Sequence, residues 1–206
     1  IKGMLDLLKS CLYDKDRDVR KAAVKALIDL VKVVPGEQIR ETLDLLNPCL
    51  YDKERDVRSA VAGVVSNLAS ISKVVPVKRI KEILDLLKPL LADKDKYVRA
   101  VAAFVVSTLG SKIPEGEIKA ILTMLKPWLS DKDKDVRKAT INALKHLVKV
   151  VPMEQIQDIL NLLKSCLYDK DKDVSYAAVD TLRDSVKVAP VEQIQDILNL
   201  LKSFLS

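Results

Sequence analysis

Residues 7–27 read Leu-Leu-Lys-Ser-Cys-Leu-Tyr-Asp-Lys-Asp-Arg-Asp-Val-Arg-Lys-Ala-Ala-Val-Lys-Ala-Leu: an apolar run, an aspartate-rich turn and a second apolar run. The turn, Asp14 to Arg20, recurs with small changes at 52–58, 93–99 and 131–137, and at 169–175 with Ser175 in place of the arginine. The intervals are 38, 41, 38 and 38 residues. Pro35, Pro76, Pro114, Pro152 and Pro190 keep the same step, each following a Val, Ile or Ala. Two markers in phase establish an internal repeat.

Apolar residues within each repeat follow helical spacing, as Ile39, Leu43, Leu46 and Leu50 do before the second turn and Val57, Val61, Val64, Val65 and Leu68 after it. Each repeat is therefore expected to be two antiparallel helices. Pro35 and its equivalents suit the entrance of the first helix, where a missing N–H costs nothing. Asp16 and its equivalents are candidate N-caps of the second helix. The expected fold is all-α, a right-handed superhelix of five and a half repeats: 1–34, 35–75, 76–113, 114–151, 152–189 and a half repeat, 190–206. All are read as one domain. Repeat two carries three extra residues between Arg58 and Pro76, enough to lengthen a helix by roughly 4.5 Å or to enlarge its loop.

Composition agrees with this. The 206 residues are 49% hydrophobic and 31% charged, with 4% aromatic residues and five glycines, a balance that favours helices over strands. Lys and Asp alternate, so the net charge of +6 forms no block that would mark a nucleic-acid or membrane tail. Neither a signal peptide nor a membrane span is evident, and the chain reads as soluble. Its start at Ile1, already inside an amphipathic pattern, suggests a piece of a longer protein. Residues 154–165 and 192–203 are identical, which fits recent duplication or repeat-based engineering.

The leucine-rich helix, aspartate turn, Val-Arg pair and alanine-rich second helix of 7–27 resemble the HEAT-repeat signature, and the resemblance runs through essentially the whole chain. Pro48, Pro89 and Pro127 stand where that family often kinks its first helix; Ser10, Ser165 and Ser203 stand there in the other repeats, whose first helices are expected to be straighter. The resemblance further implies a structural polar ladder between repeats, built from Asp14/Arg20, Asp52/Arg58, Asp93/Arg99 and Asp131/Arg137. Ser175 breaks it. The last helix is expected to turn Ile194, Ile197, Leu198, Leu201 and Leu205 towards repeat five and to leave Leu200 for a neighbour.

Apparent chemistry dissolves into this architecture. Asp14, Asp16 and Asp18 imitate the start of a calcium loop, but Val19 and Lys25 occupy the positions where such a loop needs its glycine and its bidentate glutamate. Cys11, Cys49 and Cys166 share a repeat column with Leu90, Trp128 and Phe204. Equivalent positions on stacked helices lie roughly 9–10 Å apart, too far for a disulfide, so the column is expected to be core and its thiols reduced. Reduced cysteines point to an intracellular, cytoplasmic location. His146 has no partner for a metal site or a triad, and no phosphate-binding or nucleophile motif is present. No enzyme, cofactor or metal site is expected.

Function is therefore sought on a surface. In solenoids of this kind the second helices usually line the concave face. Their outward columns read Lys21, Lys25, Ile28 and Lys32; Ser59, Gly63, Ser66 and Ser70; Ala100, Phe104, Ser107 and Ser111; Lys138, Asn142, Lys145 and Lys149; and Tyr176, Asp180, Arg183 and Lys187. The expectation is a groove with basic ends and a small, neutral middle, in which Lys21, Lys25, Ser66, Phe104, Ser107, Lys138, Asn142, Lys145, Lys149 and Arg183 contact a protein or extended peptide. A plainer reading has the small residues only permitting tight helix packing, with Phe104 partly buried. Two further alternatives are nucleic-acid backbone binding through the basic flanks and end-to-end self-association through the helix of 190–206.

Overall fold

A computed structural model describes residues 2–33, 39–70 and 80–205. Among these it contains eleven α-helices and no strand. Two compact units divide the chain, Ile1–Lys112 and Ile113–Ser206. In the first, α1 (Lys2–Leu12) and α2 (Arg17–Val33), α3 (Ile39–Leu46) and α4 (Arg55–Ser70), and α5 (Ile80–Leu91) and α6 (Lys96–Leu109) are the helix pairs of three repeats. Second helices pack in succession, α2 on α4 and α4 on α6, and first helices do likewise. The other unit repeats the scheme with α7 (Glu115–Leu125), α8 (Lys134–Leu147), α9 (Met153–Cys166), α10 (Lys172–Ser185) and α11 (Val191–Leu205). Each unit is thus an all-α repeat stack in which a helix touches chiefly its neighbours, the defining property of a solenoid.

The expected core is where periodicity puts it. Leu43, Leu46, Leu50, Val57, Val61, Val64, Val65 and Leu68 are all buried. Ile39's side chain lies outside the described residues, as do Pro35, Pro76, Lys32, Ser111, Ser203 and Leu205. The proline columns behave in two ways. Pro114 and Pro152 stand at the N-cap of α7 and α9, one position before the helix, and their carbonyls accept the amides of Glu117 and Gln155 at 2.9 Å. After α3 and α7, Pro48 and Pro127 open short 3₁₀ turns at Asn47–Tyr51 and Lys126–Ser130. Pro89 is carried inside α5. Where serine replaces proline, α1 and α9 run on without a 3₁₀ break, and Ser10 and Ser165 bond the carbonyls of Leu7 and Leu162.

The three extra residues of repeat two do not lengthen its second helix within the described part: α4 has 16 residues and α2 has 17. They therefore fall after Ser70, within 71–79, outside the described residues.

Cys49 and Cys166 are buried as expected, while Cys11 is half-buried, and all three thiols are free. Burial pushes the thiols of Cys49 and Cys166 up to about 11. In the same column Leu90 is buried, Trp128 is half-buried and Phe204 meets Tyr176 edge-on with centroids 6.3 Å apart. The last helix departs from expectation. Among the described residues of this helix only Ile197 is fully enclosed, and Leu198 is 39% exposed although Leu5, Leu43, Leu84, Leu122 and Leu160 in its column are buried. Leu200 is half-buried, so among the described leucines of this helix Leu198 is left more uncovered than Leu200.

Candidate binding surface

The turn is built before any surface can be. Its first aspartate folds back on its own backbone: Asp14, Asp52, Asp93, Asp131 and Asp169 each accept, at 2.8 Å, the amide two residues on. The third residue then caps the second helix, with Asp16, Asp95, Asp133 and Asp171 accepting amides of the first turn at 2.7–3.0 Å. Glu54, one methylene longer, makes no such bond and leaves capping to its backbone. These aspartate bonds use one carboxylate oxygen of each residue for the turn itself, and the described residues contain no acidic, histidine or cysteine cluster fit for a metal.

Within the units, Arg20, Arg58 and Arg137 join one repeat to the next. Arg20 grips Asp52 through Nε and Nη2 at 2.6 and 3.0 Å, while its Nη1 donates to the carbonyls of Asp14 and Lys15. Arg58 does the same to Asp93 at 2.5 and 3.0 Å, and Arg137 to Asp169 at 2.7 and 2.8 Å. Burial alone would push Asp52 and Asp169 up, but the guanidinium and the amide two residues on outweigh it and hold both carboxyls below the ordinary range. Within each unit the ladder expected from the resemblance is therefore present: Arg20, Arg58 and Arg137 take the carboxylate of the following repeat and the carbonyls of their own turn. Ser175, which breaks the column, bonds back to its own helix at the carbonyls of Asp171 and Lys172.

With the turns fixed, the second helices present their outward columns. In the first unit Phe104 is 55% exposed. Around it Ala100 is half-buried and Ser107 is buried, so Ser107 belongs to the seam between helices more than to the surface. On α4, Ser59, Gly63 and Ser66 are half-buried. A Cβ added to Gly63 would meet Ile28 Cδ1 at 3.8 Å, an ordinary contact, so close helix approach does not by itself require glycine there. Lys25 is exposed, while Lys21 reaches Asp56 at 2.7 Å. Tyr97, one turn of α6 before Ala100 and 54% exposed, lies between the Arg55 guanidinium and the Lys96 ammonium at 5.3 and 5.2 Å. Tyr97 went unnoticed in the sequence because its column otherwise holds aspartate.

In the second unit the cations are largely spoken for. Lys145 approaches Asp184 at 3.3 Å and Asp180 at 4.0 Å, Arg183 pairs with Asp180 at 3.0 Å, and Lys187 with Asp184 at 3.0 Å. Lys138, Asn142 and Lys149 are exposed. His146 sits on the same helix, held below its ordinary pKa by partial burial and by Lys149 and Lys145. The expected basic flank is thus partly neutralised within the protein.

The described concavities lie elsewhere, between first helices. One of about 260 Å³ between α3 and α5 is bordered by Asp44, Glu82, Asp85, Tyr51 and Leu86; another of about 530 Å³ between α9 and α11 is bordered by Asn161, Asn199, Tyr168 and Leu160. The Tyr13, Tyr51 and Tyr168 column was the available signal for them, each residue exposed just before its turn. Both are shallow and mixed in chemistry.

Comparison with known proteins supports the repeat reading. A family model for HEAT repeats matches residues 83–183, and a second, for the HEAT repeat, matches residues 4–34. A designed armadillo repeat protein in complex with the peptide (KR)4 is similar with a TM-score of 0.70 at 21% identity, covering 98% of this chain and 90% of that one. Another designed armadillo repeat protein gives 0.69 at 21% identity over 98% and 90% of the two chains. The crystal structure of an engineered protein gives 0.64 at 21% identity over 98% and 96%. At such identities the likeness is one of fold. No curated protein matches the sequence.

Proposed function

Since the chain belongs to the HEAT-repeat family, we propose that it is a non-catalytic scaffold that binds a protein or an extended peptide on the outward face of its second helices. The observation that carries this is Phe104: a large aromatic ring more than half exposed, beside the half-buried Ser59, Gly63 and Ser66 of α4, where another backbone can come close. The similar designed armadillo protein has a peptide, (KR)4, as its partner. The proposal takes residues 1–206 as one array, because the 38-residue step continues through Lys112 and Ile113. It also takes the work to be binding, since the described turn carboxylates serve amides and arginines of the fold itself.

Phosphate binding is the weaker reading, with Lys21, Lys145 and Arg183 already paired to carboxylates. The deciding experiment is affinity capture from cell extract with the unaltered chain and with Phe104→Glu and Lys145→Glu. Partners retained by the parent and lost by Phe104→Glu support the surface. Unchanged capture by both variants would sink it.

A further inference from the structure

We infer that the second-helix face of residues 1–112 recognises an acidic segment carrying a bulky apolar side chain, a partner chemistry that rests on the binding role proposed above. Charge distribution is the first ground. Residues 113–206 hold equal numbers of basic and acidic side chains, so the whole net charge of +6 resides in residues 1–112. On the first-helix side of that unit, carboxylates line the concavities: Asp6, Glu41 and Asp44 in one, Asp44, Glu82 and Asp85 in the next. On the second-helix side, α2 presents Lys25, exposed and without an ion pair among the described residues, and Lys21, whose single carboxylate partner is itself half exposed. Counted whole, the first helices are balanced, Lys2, Lys9, Arg40, Lys81 and Lys88 against Asp6, Glu41, Asp44, Glu82 and Asp85, so the excess positive charge of the unit lies outside them.

Shape is the second ground. α2, α4 and α6 pack side by side, and the middle of α4 is lined by Ser59, Gly63 and Ser66, with Arg55 and Asp56 exposed at its N-terminal end and Asp56 paired to Lys21. Tall side chains stand on both sides of this low strip, Lys21 and Lys25 on α2 and Tyr97 and Phe104 on α6. A segment lying along the strip meets ammonium groups on one flank and aromatic rings on the other. Carboxylates facing α2 and a leucine, isoleucine or aromatic residue facing Phe104 satisfy both at once, whereas a basic segment would meet like charge at Lys25. The contrast is weaker in the second unit, where Lys145, Arg183 and Lys187 share Asp180 and Asp184, although Lys138 and Lys149 stay exposed.

Selecting a short random-peptide display library on the intact chain tests this, followed by fluorescence anisotropy with the enriched peptides made synthetically. Enriched peptides are expected to combine Asp or Glu with a large apolar residue. Changing their carboxylates to amides, or introducing Phe104→Ala or Lys25→Glu into the protein, is expected to weaken binding about tenfold. Lys119→Glu and Lys164→Glu on first helices of the second unit are expected to leave it unchanged. All four side chains are exposed, and circular dichroism confirms that each variant stays folded. Enriched peptides that are neutral or basic but still need Phe104 would overturn the acidic preference and leave the scaffold reading standing. Enrichment indifferent to Phe104, or none at all, would overturn both.

Discussion

Arg58 ties two repeats with one side chain: Nε and Nη2 hold Asp93 of the next turn while Nη1 returns to the carbonyls of its own. Arg58→Leu leaves Asp93 enclosed without its cation, and breaking a buried pair from one side costs about 3–5 kcal/mol. Urea unfolding is expected to show such a loss, with Arg58→Leu/Asp93→Leu recovering part of it; a single-variant loss under about 1 kcal/mol would mean that the pair holds little. The cysteines offer a second check at this scale. Cys49 and Cys166 are enclosed and held near pH 11, whereas Cys11 is half-buried, so brief iodoacetamide treatment of native protein is expected to label Cys11 alone by mass spectrometry. Simultaneous labelling of all three would contradict the burial. Sequence columns placed these thiols in the core because a repeat imposes one environment on one column. They left open whether Ser107 faces a partner or packs between helices, and its burial, beside a partly exposed Lys145 in the same column, depends on how adjacent helices meet.

Among the elements, the second helices are set by their caps. Asp133 bonds the Asp135 amide at 2.9 Å, and Asp133→Ala is expected to cost about 1 kcal/mol. Glu54 is the one turn residue at this position too long to cap, so Glu54→Asp is expected to stabilise by about 0.5–1 kcal/mol. Thermal denaturation reads both, and a destabilised Glu54→Asp would show that its turn is held another way. Caps and helix registers were legible because they depend on residues two or three apart. The 3₁₀ turns at Pro48 and Pro127 were legible only as expected kinks, and Pro89, placed alike in sequence, stays within its helix. Leu198 was misplaced for a related reason: helical period tells which residues share a face, and not which face is covered.

At the scale of the whole molecule, the carboxyls of Asp52 and Asp169 link stability to pH. Their folded pKa values lie below the unfolded value of about 3.9, so their contribution is complete above that pH and is lost as pH falls through the folded values. The melting temperature is expected to stay level with respect to these groups from neutral pH to about 5 and to drop below about 4. Arg137→Leu/Asp169→Leu should flatten that drop, and an unchanged profile would remove Asp169 from the explanation. Charge pairing makes a further prediction: at roughly physiological salt a duplex DNA probe is expected not to be shifted in a gel, and a complex that forms at low salt and survives there would revive phosphate binding. None of the described helices is long and apolar enough to cross a membrane.

The two edges of the α4–α6 contact are fastened unequally. At the N-terminal ends of these helices a planar guanidinium clasps a carboxylate by two bonds, while at their C-terminal ends Lys112 reaches the carbonyl of Ala69 through one flexible side chain. Among the described residues the firmer fastening is therefore at the turn margin, and mechanical load is expected to part the C-terminal margin before the clasped one gives way.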